Sequence, residues 1–331
     1  MAATSEVTTR GEVDQTGRPP RGGTAKKRGG AFGEGRAAWI LALPFCLLFL
    51  TFTVWPVIQS LFMSFTDTRS RDLKTPFAVD IVGLDNFTAL FSSGDFITVL
   101  LNNLLWILIV PASAVAVGLA VAIFSDRIGP VREKIFKSTI FLPMAISFVA
   151  AATIWRFVYT YNPPGQAQVG LLNAIWTGIT RGDPIPWLTI DSGKLNSLLI
   201  MVVVVWMNAG FAMVLLSAAI KGVPEETIEA SRIDGANERQ AFFQVIVPQI
   251  WSTVVAVFIT ILITVMKIFD IVYAMTGGAY GTSVLGMEFI NQLFNFGNPG
   301  KAAAVVTVLL IAVIPVIFYQ VRSYRRQEAL R

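Results

Sequence analysis

The sequence predicts an all-α membrane protein with six transmembrane helices, and three observations predict it. Of the 331 residues, 54% are apolar and only 14% charged, where a soluble domain carries about a quarter charged residues. Six runs free of Asp, Glu, Lys and Arg each reach roughly 18 residues or more, the length at which a helix crosses the hydrocarbon core. The connection between the fourth and fifth runs carries its own helix start and stop signals, which predicts a helical hairpin there. Composition also excludes chemistry. With no histidine in the chain, imidazole zinc sites, His-ligated haem and histidine general-base catalysis are all ruled out. The one cysteine, Cys46, lies in an apolar run, where it serves as a small buried or lipid-facing hydrophobe.

Residues 1–36 are rich in Gly, Arg, Thr and Pro and poor in apolar side chains, so a disordered basic tail is expected. The six runs follow as Trp39 to Phe65, Ile97 to Phe124, Ser138 to Trp155, Leu195 to Ile220, Gln240 to Met266 and Ala302 to Val321. The first is too long for a signal-peptide core and lacks a small-residue cleavage site, so it is expected to remain as an uncleaved anchor. Six crossings put both tails on one side. Eighteen of the 26 lysines and arginines lie in those tails or in the loops on the same side, which the bias of basic residues toward the cytoplasm assigns as inside. That distribution accounts for the net charge of +5 without nucleic acid. The outward loops Thr66 to Phe96 and Thr160 to Lys194 hold about thirty residues each, broken by Pro163, Pro164, Gly165, Pro184 and Pro186. They either cover the mouth of the bundle or meet something outside. Pro44, Pro56, Pro111, Pro143 and Pro315 lie inside apolar runs, where they kink helices.

The connection Lys221 to Trp251 is the most structured of the inward loops. Pro224 suits a first helical position, Glu225, Glu226 and Glu229 favour the positive end of a helix, and Gly235 fits a left-handed cap after a helix that ends at Asp234. Asn237 followed by Gln240 forms the pattern of a capping box, and Phe242, Phe243, Val245 and Ile246 give the second helix an apolar face until Pro248 interrupts it. Five carboxylates against two arginines over Glu225 to Arg239 exclude a DNA-binding use of the hairpin, since a phosphate backbone would repel it.

This hairpin resembles the EAA loop of the inner-membrane permease subunits of ABC importers, specifically the binding-protein-dependent sugar permeases of the maltose and glycerol-phosphate type. That loop has Glu-Ala-Ala, then Gly after three residues, then Ile-x-Leu-Pro after nine more. Here Glu229, Ala230 and Ser231 are followed at the same spacing by Gly235 and by Val245, Val247 and Pro248, with Ser231 for Ala and valines for Ile and Leu. The likeness continues along the chain after residue 37. It takes in Ser64-Phe65-Thr66-Asp67, Gly83-Leu84-Asp85-Asn86-Phe87, Leu142-Pro143, Trp155-Arg156, Gly170-Leu171-Leu172-Asn173, Phe269-Asp270-Ile271-Val272-Tyr273 and Thr276-Gly277-Gly278.

The resemblance implies a domain organisation of tail 1–36 and six-span domain 37–331, with a coupling loop at 221–250. It implies that Glu229, Ala230, Ser231, Asp234, Gly235, Ala236, Val245 and Pro248 dock on a cytoplasmic ATPase. No G-x-x-x-x-G-K-[ST] sequence occurs in the chain, so ATP hydrolysis falls to that partner and the chain itself is neither an enzyme nor a cofactor binder. A second six-span permease, two ATPase subunits, an external sugar-binding protein and a sugar complete the expected assembly in a bacterial inner membrane.

Candidates for the substrate path are polar or aromatic residues within the spans. In the fourth, Trp206, Asn208 and Phe211 stand close together, and Asn208 serves either an interhelical hydrogen bond or a sugar hydroxyl. In the fifth, Thr264, Lys267, Asp270 and Tyr273 recur at spacings of three, which puts them along one side of a helix. Lys267 and Asp270 then either pair as an interfacial anchor or face the path. Asn102 and Asn103 leave the same two possibilities open. The expectation is one half of an ATP-driven importer for a carbohydrate such as an α-glucoside. The rival is a self-contained secondary transporter, which needs inverted repeats and intramembrane ionisable residues.

Overall fold

The computed structural model describes residues 34–69, 80–126 and 128–328, so residues 1–33 of the expected tail lie outside the described part. The chain divides into two units, Met1–Trp55 and Pro56–Arg331. In the first, helix α1 (Glu34–Phe49) leads into a π-helical turn at Leu50–Val54. Leu41, Phe45 and Phe52 on it are exposed, an apolar surface suited to lipid.

The remaining helices are α2 (Trp55–Met63), α3 (Asp85–Phe91), α4 (Gly94–Ser125), α5 (Pro130–Phe141), α6 (Phe148–Val158), α7 (Leu171–Thr180), α8 (Leu195–Lys221), α9 (Glu225–Ile233), α10 (Glu238–Gln240), α11 (Val247–Met266), α12 (Asp270–Thr276), α13 (Leu285–Ile290) and α14 (Pro299–Glu328). Among the described residues the only β pairing is an isolated antiparallel bridge between Thr66 and Ile81. Within the described residues, five helical stretches are long and apolar enough to cross a bilayer: Leu41–Met63, Gly94–Ser125, Ser192–Lys221, Glu238–Met266 and Pro299–Arg322.

The remaining expected span, the third, is not one straight helix. Pro130–Ala145 and Phe148–Val158 meet at a bend of 104°. Pro143 lies in a 3₁₀ turn at Leu142–Ala145, Ile146 is extended, and the Ser147 hydroxyl accepts from Ala150 N–H at 3.2 Å to start α6 afresh. The run Ser138 to Trp155 lacks charges throughout, so composition alone did not reveal the break.

Helices α4 and α8 form the most extensive pair in the second unit. Gly118 makes it possible, because a Cβ there would collide with Ala212 and with the backbone at Met213. Trp106, Val110 and Ala114 of α4 join Ile200, Val203, Val204 and Leu216 of α8, with Val257, Ile261 and Val265 of α11, in the main core. A smaller cluster unites Leu90, Phe96, Val99, Leu285, Ala304 and Val305. Two of the π turns precede a proline, Leu50–Val54 before Pro56 and Ala241–Ile246 before Pro248. A proline ring clashes with the carbonyl four residues back and offers no N–H, and the wider turn accommodates both defects. Pro248 therefore does not interrupt its helix, contrary to the sequence expectation: Glu238–Met266 runs through it.

Candidate functional site

The break in the third span forms one wall of an open cavity of about 510 Å³. Met144, Ile146, Ser147, Phe148 and Val149 line it from the break, Met207 and Asn208 from α8, Thr264 from α11 and Asp270 from the start of α12. Three residues picked from sequence as path candidates are thus brought together from three helices. Asn208 Nδ2 donates to Val204 O at 2.8 Å and Thr264 Oγ1 to Thr260 O at 3.1 Å, so each satisfies its donor on its own helix. Asp270 is exposed and makes no ion pair or side-chain hydrogen bond among the described residues. A carboxylate and an amide oxygen beside apolar walls match the acceptor pattern that a polyhydroxylated ligand needs.

The other path candidates lie elsewhere. Trp206 lines a more apolar cavity of about 590 Å³ with Leu142, Pro143 and Ile146, and packs edge-on against Trp155 at 5.7 Å. Phe211 packs on the main core. The expected stripe of Thr264, Lys267, Asp270 and Tyr273 does not exist as a helical face, because α11 ends at Met266 and Phe269 adopts φ −146°, ψ −57° before α12 begins. Among the described residues no ion pair joins Lys267 to Asp270. Tyr273 stacks on Phe269 at 5.4 Å. Ser147 and its neighbours were missed by sequence reasoning, although Pro143 followed by an N-capping serine was the available signal.

Asn102 and Asn103 resolve to structural roles. Asn102 Nδ2 donates to the carbonyls of Gly281 and Ser283 at 2.7 and 2.8 Å, and Asn103 Oδ1 accepts from Leu285 N–H at 2.7 Å. Together they fix a loop in which Gly277, Gly278, Tyr280 and Gly281 all have positive φ.

The Lys221–Pro248 segment forms a compact hairpin. Pro224, expected as the first helical residue, stands instead at the N-cap of α9, and the helix ends at Ile233 with Asp234 as its C-cap, one residue earlier than expected. Gly235 adopts φ +89°. Its N–H donates to Arg232 O at 3.1 Å and that of Ala236 to Ser231 O at 3.0 Å, the reciprocal pair of a Schellman cap. The Ser231 hydroxyl donates to Ile228 O at 2.7 Å, so serine in place of alanine leaves no polar atom unsatisfied. The capping box is present as expected, Asn237 N–H to Gln240 Oε1 and Gln240 N–H to Asn237 Oδ1, both at 2.9 Å. Arg232 pairs with Glu238 across the turn at 3.0 Å. Glu229, Ala230, Ile233 and Phe243 remain exposed, which gives the hairpin tip a mixed acidic and apolar surface.

Residues 114–327 match the model of the family described as binding-protein-dependent transport system inner membrane component. Two relatives are each 42% identical. One is the osmoprotective compounds uptake permease protein GgtC of Synechocystis sp., aligned over 86% of this chain and 98% of its own. The other is the alpha-glucoside transport system permease protein AglF of Rhizobium meliloti, over 88% and 83%. Among solved structures, a bacterial ABC transporter involved in the import of the acidic polysaccharide alginate superimposes with a TM-score of 0.71 at 21% identity, covering 88% of this chain and 96% of that one. A capped hairpin between the fourth and fifth spans, a membrane bundle and near-full-length relatives lead to one conclusion: the chain belongs to the binding-protein-dependent transport system inner membrane components.

Proposed function

We propose that the chain is one permease subunit of an ATP-driven importer for an α-glucoside, a di- or oligosaccharide delivered by an external binding protein. The observation that carries this reading is the 42% identity to the alpha-glucoside permease over 88% of the chain. Two ATPase subunits grip the hairpins of this chain and of a second six-span permease, and both termini face the cytoplasm. Glu229 and Ala230 present an acidic and a small exposed surface midway along α9, while Ser231, Asp234, Gly235 and Ala236 hold its end rigid. Val245 and Pro248 continue that surface into α11. A short helix closed by a Schellman cap and followed at once by a capping box transmits a push because it bends less than a loop. On the other side of the coupling, Asn208, Thr264 and Asp270 offer acceptors to sugar hydroxyls along the path.

A second reading is favoured by the equal identity of the cyanobacterial relative, whose name assigns it to osmoprotective compounds. One experiment separates the two. The complete assembly is reconstituted in proteoliposomes with its binding protein, and ATP-dependent uptake of a labelled α-linked glucose disaccharide is measured in competition with a small zwitterionic osmolyte. Saturable sugar uptake that the osmolyte does not compete is the expected result. Osmolyte uptake with no sugar transport would favour the second reading, and uptake without ATPase subunits would overturn both.

A further inference from the structure

Two lysines and two carboxylates meet where the hairpin is rooted. Lys137 Nζ lies 3.1 Å from Asp126 Oδ1 and 2.6 Å from Glu133 Oε1, and it also donates to the Ser217 hydroxyl. Lys221 Nζ pairs with the same Glu133 oxygen and lies 3.7 Å from Asp126. The side chains of Asp126, Glu133 and Lys137 are each about a fifth exposed, at 24%, 17% and 18%, so solvent screens these pairs less than it would on an open surface. Asp126 is the C-cap of α4, where a carboxylate opposes the helix dipole, and the two ammonium groups offset that cost.

The knot has a particular place in the fold. Lys221 is the last residue of α8, and only Gly222, Val223 and Pro224 separate it from α9. Those three are not slack, because Gly222 N–H bonds to Ala218 O and Val223 N–H to Ile220 O, both at 3.1 Å. At its other end α5 again rests on α8: a Cβ at Gly210 would overlap the Ile140 carbonyl and come within 2.7 Å of Phe141 Cα. Helix α5 is thus fastened to α8 at both ends, and from its far end the chain enters the Leu142–Ser147 break that walls the cavity.

We propose that Glu133, Lys137 and Lys221 are positioning residues for transport. They make α5 and the hairpin end of α8 one body, so that a push on α9 is delivered through α5 to the break at Ile146 and Ser147, where the cavity wall moves. This inference rests on reading the hairpin as the ATPase contact.

The test uses the reconstituted assembly and measures sugar moved per ATP hydrolysed. Glu133→Gln and Lys221→Met are each expected to lower uptake roughly tenfold, the scale of coupling between groups in one ion-pair network, with a much smaller fall in ATP hydrolysis. The exchanged pair, Glu133→Lys with Lys221→Glu, recovers most of the ratio. A parallel fall of uptake and hydrolysis, or an exchanged pair no better than the single variants, would overturn the proposal. A covalent check covers variants that assemble poorly. With Cys46→Ser as background, Lys137→Cys and Ser217→Cys are joined by a short bifunctional thiol reagent. The untethered pair is expected to lose uptake as the other variants do, and the tether to restore it, since it links parts of one body again; no recovery on tethering would count against the proposal. A wild-type assembly that shows no sugar-stimulated hydrolysis would instead overturn the importer reading itself.

Discussion

At the scale of single residues, buried asparagines hold the loops between the helices in place. Asn86 Nδ2 donates to the carbonyls of Ser64 and Thr66 at 3.0 and 2.9 Å. Asn173 serves four groups: it donates to Thr160 O and Ile185 O, and its oxygen accepts from Ile185 N–H and Trp187 Nε1. Asn196 reaches Tyr280 O at 2.7 Å. Both Asn86 and Asn173 lie in short motifs noted in the sequence, and the geometry supplies a reason for them: an amide is compact and offers both donors and an acceptor. Replacing Asn173 with Ala strands buried backbone groups at about 1–3 kcal/mol each. The thermal midpoint of the purified protein should fall by roughly 2–4 °C for each kcal/mol lost. A midpoint unchanged in detergent would show that water replaces the amide there. Which asparagine was structural and which lined a cavity was not legible from the sequence, because Asn102 and Asn208 both look like single amides in apolar helices and differ only in what the far end of the chain brings to them.

At the scale of elements, the hairpin was the most legible part. Its caps are local chemistry, and Gly235, Asn237 and Gln240 adopt the roles their spacing implies. Gly235→Ala must place a Cβ at φ +89°, which costs about 1–2 kcal/mol. Uptake should fall moderately, whereas Gly235→Pro should abolish it while the protein still reaches the membrane, as surface labelling and transport assays on the same cells would show. Full uptake by the proline variant would end the coupling role. The third and fifth spans were less legible for a physical reason: hydropathy records length without direction. Hydropathy alone does not distinguish a straight helix from two arms meeting at 104°, for which only Pro143 and the capping Ser147 gave a sign, and the exit of α11 at Lys267 lies at a point where apolar residues continue on both sides.

For the whole molecule, an even number of spans together with the distribution of basic residues predicts an orientation that the loops make testable. In a Cys46→Ser background, Ile233→Cys at the exposed end of α9 and Ile179→Cys on the exposed face of α7 stand in loops of opposite expected sidedness. An impermeant thiol reagent added to intact cells should label the second and spare the first until the membrane is opened. The reverse pattern would invert the topology and remove the hairpin from the reach of a cytoplasmic ATPase. The position of the apolar runs and the order of motifs were legible because each is a property of the chain in one dimension. The cavity was not, since Asn208, Thr264 and Asp270 become neighbours only through the packing of α8, α11 and α12 around the bent third span.

The loop held by Asn102, Asn103 and Asn196 has a consequence for association. Gly277, Gly278, Tyr280 and Gly281 are locked in left-handed conformations, and Lys194 adds a bond from its ammonium to Gly281 O at 3.3 Å. A surface already frozen in this way loses little conformational entropy when something settles on it. Anything that settled on this loop would find it already ordered, so its binding heat would arise from new contacts and not from the folding of the loop.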